Sequence, residues 1–195
     1  MPVPNSAGSP QRSNRGPAAG PENRRALIAA AREVYAEAGL SAPFSQVAKR
    51  AGVGQGSLYR HFPDRTALAL AVFEENIAEL EAFAADAEHT IEDLLDLVAD
   101  QAVVSTAFIE LLSARFEDPR VLQLGTRYRD VVATLVGRQR EAAGEASDID
   151  IDDVLVATEM LAFAISRSAP ENRTDAAARA RRILQNAFRP VASSV

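Results

Sequence analysis

Gln55, Ser57, Tyr59, Arg60 and His61 follow one another around Leu58, and each can donate a hydrogen bond. Leu58 and Phe62 are four residues apart. On a helix they form a thin apolar face and leave the rest of the surface to the donors. That combination suits a DNA major groove, which presents phosphates and base-edge acceptors. A second group lies mid-chain. Gln101 and Ser105 interrupt an apolar stripe of Ile91, Leu94, Leu95, Val98, Ala102, Phe108, Ile109 and Leu112. Buried polar groups need partners, which can come from the protein, from water or from a bound molecule. Tyr128, Met160 and Glu159, the one charge in the run Val154 to Ile165, can line the same space, and Glu159 can instead pair across a dimer with an arginine of the last helix. The candidate ligand-binding set is therefore Gln101, Ser105, Phe108, Tyr128, Glu159 and Met160.

Other chemistry is disfavoured. Cysteine is absent, which excludes disulfides, thiol nucleophiles and thiolate metal sites and fits a reducing cytoplasm. His61 belongs to the donor run and His89 falls at a helix break. Neither has the neighbours of a triad or a metal-ligand set, and no glycine-rich phosphate loop follows a strand. The chain is read as no enzyme, with no cofactor and no metal. Asp148, Asp150, Asp152 and Glu159 match the spacing of a calcium loop, but Asp153 stands where its sharp turn requires glycine. These acids are better placed at the positive end of a helix. No run is long and apolar enough to span a membrane, and no apolar leader is expected at the N-terminus.

The donor run is positioned by two short helices around a tight turn. Ser45 is expected to cap the first, with Val47, Ala48 and Ala51 on its inner face. Gly52 supplies a positive φ, and Val53 plugs the turn. Upstream, Leu27, Ile28, Ala31, Val34 and Tyr35 recur at helical spacing, closed by Gly39. Asp64 is expected to cap a long helix over 65–85, with a break at His89 and Thr90. Further helices are expected over 91–115, from Pro119 to Gly125, over 126–143, 150–168 and 174–188. Nothing alternates like a strand. The expected fold is all-α, with about nine helices.

The run Gly56-Ser57-Leu58-Tyr59-Arg60-His61-Phe62-Pro63-Asp64-Arg65 resembles the recognition helix and following turn of the TetR family of bacterial transcriptional regulators. Residues 25–40 are similar to the family's first helix, and the resemblance covers about 24–66. Gln55 stands where lysine is frequent and Ser57 where threonine is, which bears on the operator sequence. The resemblance implies a three-helix helix-turn-helix domain followed by a helical ligand-binding and dimerisation domain. It assigns to DNA Ser45, Gln46, Gln55, Gly56, Ser57, Tyr59, Arg60, His61 and Arg65, with Tyr59 and Arg65 on phosphates and Gln55 and Ser57 facing bases.

The net charge of −6 is unevenly spread. Residues 1–65 hold nine basic and four acidic side chains, whereas the remainder holds 12 basic and 23 acidic. A basic head can meet phosphates while an acidic body is kept away. The expected division is an arm over 1–20, unstructured and carrying Arg12 and Arg15, a DNA-binding domain over 21–66, and a ligand-binding and dimerisation domain over 67–195. The run Val154 to Ile165 is apolar nearly all round a helix, more than one covering surface requires. With the last helix it is expected to form a homodimer through Val154, Thr158, Leu161, Ile165, Ala176, Ala180, Ile183, Leu184 and Ala187. The function expected is a ligand-responsive regulator, a repressor that binds a palindromic operator as a dimer and is released by a small molecule.

Overall fold

The computed structural model describes residues 19–115, 117–143 and 149–188. Among them there is no strand, and eight α-helices follow one another: α1 Ala19–Ala38, α2 Phe44–Arg50, α3 Gln55–His61, α4 Arg65–Ala85, α5 Ile91–Ser113, α6 Pro119–Ala143, α7 Ile151–Ser166 and α8 Arg173–Phe188. Residues 1–18 of the expected arm, with Arg12 and Arg15, lie outside the described residues, and 19–20 belong to α1. The expected boundary at 66–67 falls inside the first turn of α4.

Local chemistry accounts for most of the helix ends. Asp64 caps α4 by accepting from the Ala67 amide at 2.8 Å. Thr90 and Asp93 cap α5 reciprocally, the Asp93 amide donating to Thr90 Oγ1 and the Thr90 amide to Asp93 Oδ2. Asp150 accepts from the Asp152 amide at the start of α7. Ser45 is not a cap: α2 begins one residue earlier than expected, with Pro43 at its N-cap and no side-chain acceptor there. The fixed φ of proline suits a helix entry without one.

The eight helices replace the expected nine because Pro119 to Ala143 is one continuous helix that runs through Gly125. A mid-helix glycine costs only about 1 kcal/mol, which packing on both sides of it can outweigh. Val131, Val132, Leu135 and Val136 bury the second half of α6 in the core.

Helix α5 is the axis of the molecule. It packs against α7, α8, α1, α4 and α6, and α4 also packs along α6. One apolar core runs from Leu27 and Val34 of α1 through Leu58, Leu68 and Val72 to Leu94, Phe108 and Val132. The head is thus joined to the body by side-chain packing as well as by the chain. Tyr35 of α1 and Phe108 of α5 mark the joint, edge to face with ring centroids 5.2 Å apart.

Candidate nucleic-acid interface and effector cavity

The turn between α2 and α3 is fixed by two backbone bonds. Gly52, at φ +65°, donates to the Lys49 carbonyl, and Val53 donates to the Ala48 carbonyl. This is the paired closure that a left-handed residue gives to a helix end. Val53 then packs on the core, as its place in the turn requires. Leu58 is fully buried and anchors α3 from beneath. Burying a leucine is worth roughly 1.5–3 kcal/mol, enough to set the rotation of so short a helix. Gln55, Gly56 and Arg60 are consequently exposed, Ser57 and His61 half-buried. Tyr59 is 52 % exposed, and its ring stands edge-on to Phe44, centroids 5.5 Å apart. Its hydroxyl end is thereby held out from the surface at a fixed place.

Two other residues expected at this surface are half-buried in the first turns of α2, Ser45 and Gln46. Arg65 differs more. Its guanidinium is turned into the head, where Nη2 donates to the Ala42 carbonyl at 2.6 Å and the group lies over the Tyr35 ring. It ties α4 to the corner between α1 and α2, an arrangement that sequence spacing does not reveal. Arg50, beside the sole lysine, is likewise engaged: it bridges Glu33 at 2.8 Å and Glu37 at 2.9 Å on α1. That bond holds the Glu37 carboxyl below its ordinary pKa. Lys49 is exposed at the end of α2, a cation near α3 that the sequence reading passed over.

Behind the head, α4, α5, α6 and α7 line a cavity of about 430 Å³ that opens to solvent. Gln101, Ser105, Tyr128 and Glu159 line it, together with Asn76, Thr158 and mainly apolar side chains. Phe108 and Met160 do not. Phe108 turns instead to Tyr35, and Met160, one residue round α7 from Glu159, points away with 60 % exposure. Gln101 and Ser105 both line the cavity and have protein partners. Gln101 Nε2 donates to Glu79 Oε2 at 2.9 Å and to the Asn76 carbonyl at 3.3 Å, and Asn76 Nδ2 donates to Ser105 Oγ at 3.4 Å. Asn76 was not foreseen. It follows Glu74 and Glu75 in the chain but falls at helical spacing from Val72, Phe73 and Leu80, and that polar break in an apolar face was its signal. Its Oδ1 accepts from Arg32 Nη2 of α1 at 2.6 Å, so one buried amide joins the head to the cavity wall. Burial raises the pKa of the Tyr128 phenol well above its ordinary value, and Thr158 beside it offsets this only in part. The phenolic oxygen is buried without a hydrogen-bond partner among the described residues.

Residues 27–72 match the model of the bacterial regulatory proteins of the tetR family. Solved structures agree over nearly the whole chain. A TetR transcriptional regulator from Streptomyces coelicolor is 29 % identical at a TM-score of 0.60, over 87 % of this chain and 99 % of that one. Residues 27–72 thus form a DNA-binding head of the TetR type. A TetR protein of Mycobacterium vanbaalenii shares the fold at 22 % identity and a TM-score of 0.62, over 88 % of this chain and 98 % of that one. So does the regulator FadR of Bacillus subtilis, solved in complex with stearoyl-CoA, at 18 % identity and 0.60, over 86 % and 99 %. No curated protein matches the chain.

The apolar surface left open on α7 and α8 is not the one expected. Val154, Thr158, Leu161 and Ile165 are buried inside the protomer, where α7 packs on α5. The exposed stripe of α7 is Val156, Met160 and Phe163, and α8 adds Ile183 at 68 % exposure. Ala176, Ala180 and Leu184 are half-buried, the last two against the core of their own protomer. Ala187 lies outside the residues whose side chains are described. An apolar periodicity that runs all round a helix cannot say which side faces inward, and so the inner face was taken for the outer. Asp150 and Asp152 of the calcium-like count are occupied as well, in capping α7 and in an ion pair of Asp152 with Arg129 at 2.6 Å. Asp148 lies outside the described residues.

Proposed function

We propose that the chain is a transcriptional repressor that binds an inverted-repeat operator as a homodimer through α3 and is released by a small molecule held between α4 and α7. The observation that carries this reading is the joint between head and cavity: Arg32 of α1 and Ser105 of α5 meet on the two sides of Asn76. An occupant of the cavity that prefers one arrangement of α4 shifts the head through that joint, by as much as its affinities for the two states differ. One structural neighbour is a regulator solved with an acyl-CoA, which supports the fold as a host for effectors. No catalytic step is assigned. The division proposed is a DNA-binding unit over 21–66 and an effector-binding and dimerisation unit over 67–195. Among the described residues no helix is long and apolar enough to cross a membrane, and a cytoplasmic location fits a protein that acts on DNA.

On α3 we assign Gln55 and Ser57 to bases, Tyr59 and Arg60 to phosphates, and Gly56 to close approach. His61 is assigned to support at the edge of the helix, with Ser45 and Gln46 behind it and Arg65 bracing the corner instead of holding a phosphate. Selection of bound duplexes from a random pool by the purified protein tests this. An inverted repeat with half-sites about one helical turn apart is expected. On the selected site, Gln55→Ala should relax the preference at one base pair by about 1–3 kcal/mol, whereas Tyr59→Phe should weaken all sequences alike. No enrichment of any repeat would sink the reading.

A further inference from the structure

The cavity carries charge of only one sign. Glu159 places a carboxylate on its wall, and no lysine, arginine or histidine is among the described residues that line it. Glu159 has no ion pair among the described residues. Three arginines of the surrounding helices are committed elsewhere, Arg127 to Glu81, Arg129 to Asp152 and Arg181 to Asp96. At the α5 side Gln101 already donates to a second carboxylate, Glu79. An anion that entered would lose part of its hydration, meet the Glu159 carboxylate and find no counter-charge among the described lining residues, an unfavourable exchange against an apolar wall.

One strong donor is unused. Tyr128 is a lining residue whose hydroxyl is buried beside Thr158 without a hydrogen bond of ordinary length among the described residues, the Thr158 proton going to the carbonyls of Val154 and Leu155. A buried O–H left unpaired is costly, so a ligand that brings an acceptor gains more there than it would in water. The rest of the lining is mainly hydrocarbon, and about 430 Å³ is in the range of small-molecule sites.

We propose that the cavity takes a lipophilic molecule with a hydrogen-bond acceptor and no negative charge, its acceptor oxygen on the Tyr128 hydroxyl. The proposal rests on the reading of the chain as an effector-responsive regulator and names the class of effector. It is tested by displacement of the uncharged dye Nile red from the full-length protein. The competitors are methyl decanoate and decanoate, matched in length and different in charge. The ester should displace the dye at a concentration about tenfold or more below that of the anion, in line with the cost of an unpaired charge. Tyr128→Phe should raise the ester's concentration by about tenfold with an unchanged melting curve, because only the donor is removed. Glu159→Gln should narrow the gap between ester and anion and leave the ester's affinity in place.

Decanoate binding as tightly as the ester, a natively melting Tyr128→Phe protein with unchanged ester affinity, or absence of any displacement would each overturn the proposal. Glu159→Gln that splits the dimer without narrowing the gap would also count against it, since the carboxylate would then belong to the subunit interface. Operator release is scored separately. An ester that binds as stated but does not release DNA leaves the ligand class standing and removes the regulator reading. Preferential release by decanoate does the reverse.

Discussion

A methyl group added at Gly56 would meet no atom beyond its immediate neighbours within 4 Å, and only Gly39 and Gly52 among the described glycines have positive φ. Nothing in the protomer therefore requires glycine there, and alanine should favour the helix by about 0.5–1 kcal/mol. The residue sits on the exposed side of α3, between Gln55 and Ser57. Its use is explained if a surface from outside must approach the backbone. Gly56→Ala is expected to melt at the same temperature or higher and to bind the selected operator more weakly. Fluorescence anisotropy beside a melting curve would measure both. A variant that is stabilised and binds DNA undiminished would remove Gly56 from the interface. Residues governed by their own backbone, such as Gly52, were legible in the sequence. Arg65 was not, because its basic charge says nothing of the Ala42 carbonyl that captures it across 23 positions of chain.

Among the elements, α4 belongs to both head and body. Its first part closes the core beneath α3 through Leu68 and Val72, and its second part lines the cavity through Asn76, Ile77 and Leu80. Asn76 is the point where the two meet, bonded to Arg32 of α1 and Ser105 of α5. Asn76→Ala removes one of the acceptors of Arg32, which keeps the Val72 carbonyl and Glu75, and leaves the buried Ser105 hydroxyl without its donor; it should lower the unfolding free energy by about 1–3 kcal/mol. More diagnostic is amide hydrogen exchange. Exchange should rise in α1 and in the second half of α4 while the α7–α8 pair is unaffected. Exchange confined to α4 would show that Asn76 is a local packing feature and not a joint. The same network alters the reading of Gln101 and Ser105. As residues in an apolar stripe they were equally consistent with a core pair and a ligand contact, and their partners on α4 could not be found from α5 alone. Helix ends were legible where a cap or a break is a local matter, as at Asp64 and Thr90. Gly125 was misread because the neighbours that carry α6 through it are distant in sequence.

For the whole molecule, the question is what covers the stripe of Val156, Met160 and Phe163. With Ile183 it forms an exposed apolar surface on the last two helices. Single exposed apolar residues are ordinary, but four on adjacent helices mark an association surface. On the proposed function a second copy of the chain covers it, since one short helix reads few base pairs and two half-sites reach operator-grade affinity. Arg179 and Arg182 are exposed on α8 and are available to rim such an interface. The position of the substitution decides the quality of the test. Ala180 is half-buried against its own protomer, so a glutamate there would damage the fold and the assembly together. Met160 is 60 % exposed in the protomer, so Met160→Glu leaves the monomer's core intact and places an unpaired charge only in the contact between copies. Light scattering at micromolar concentration should give a dimer for the natural chain and a monomer for the variant. Operator affinity should fall with it, while the circular dichroism spectrum stays helical. A variant that remains dimeric would place the interface elsewhere, and a variant that becomes monomeric yet binds the full operator as before would separate dimerisation from DNA recognition.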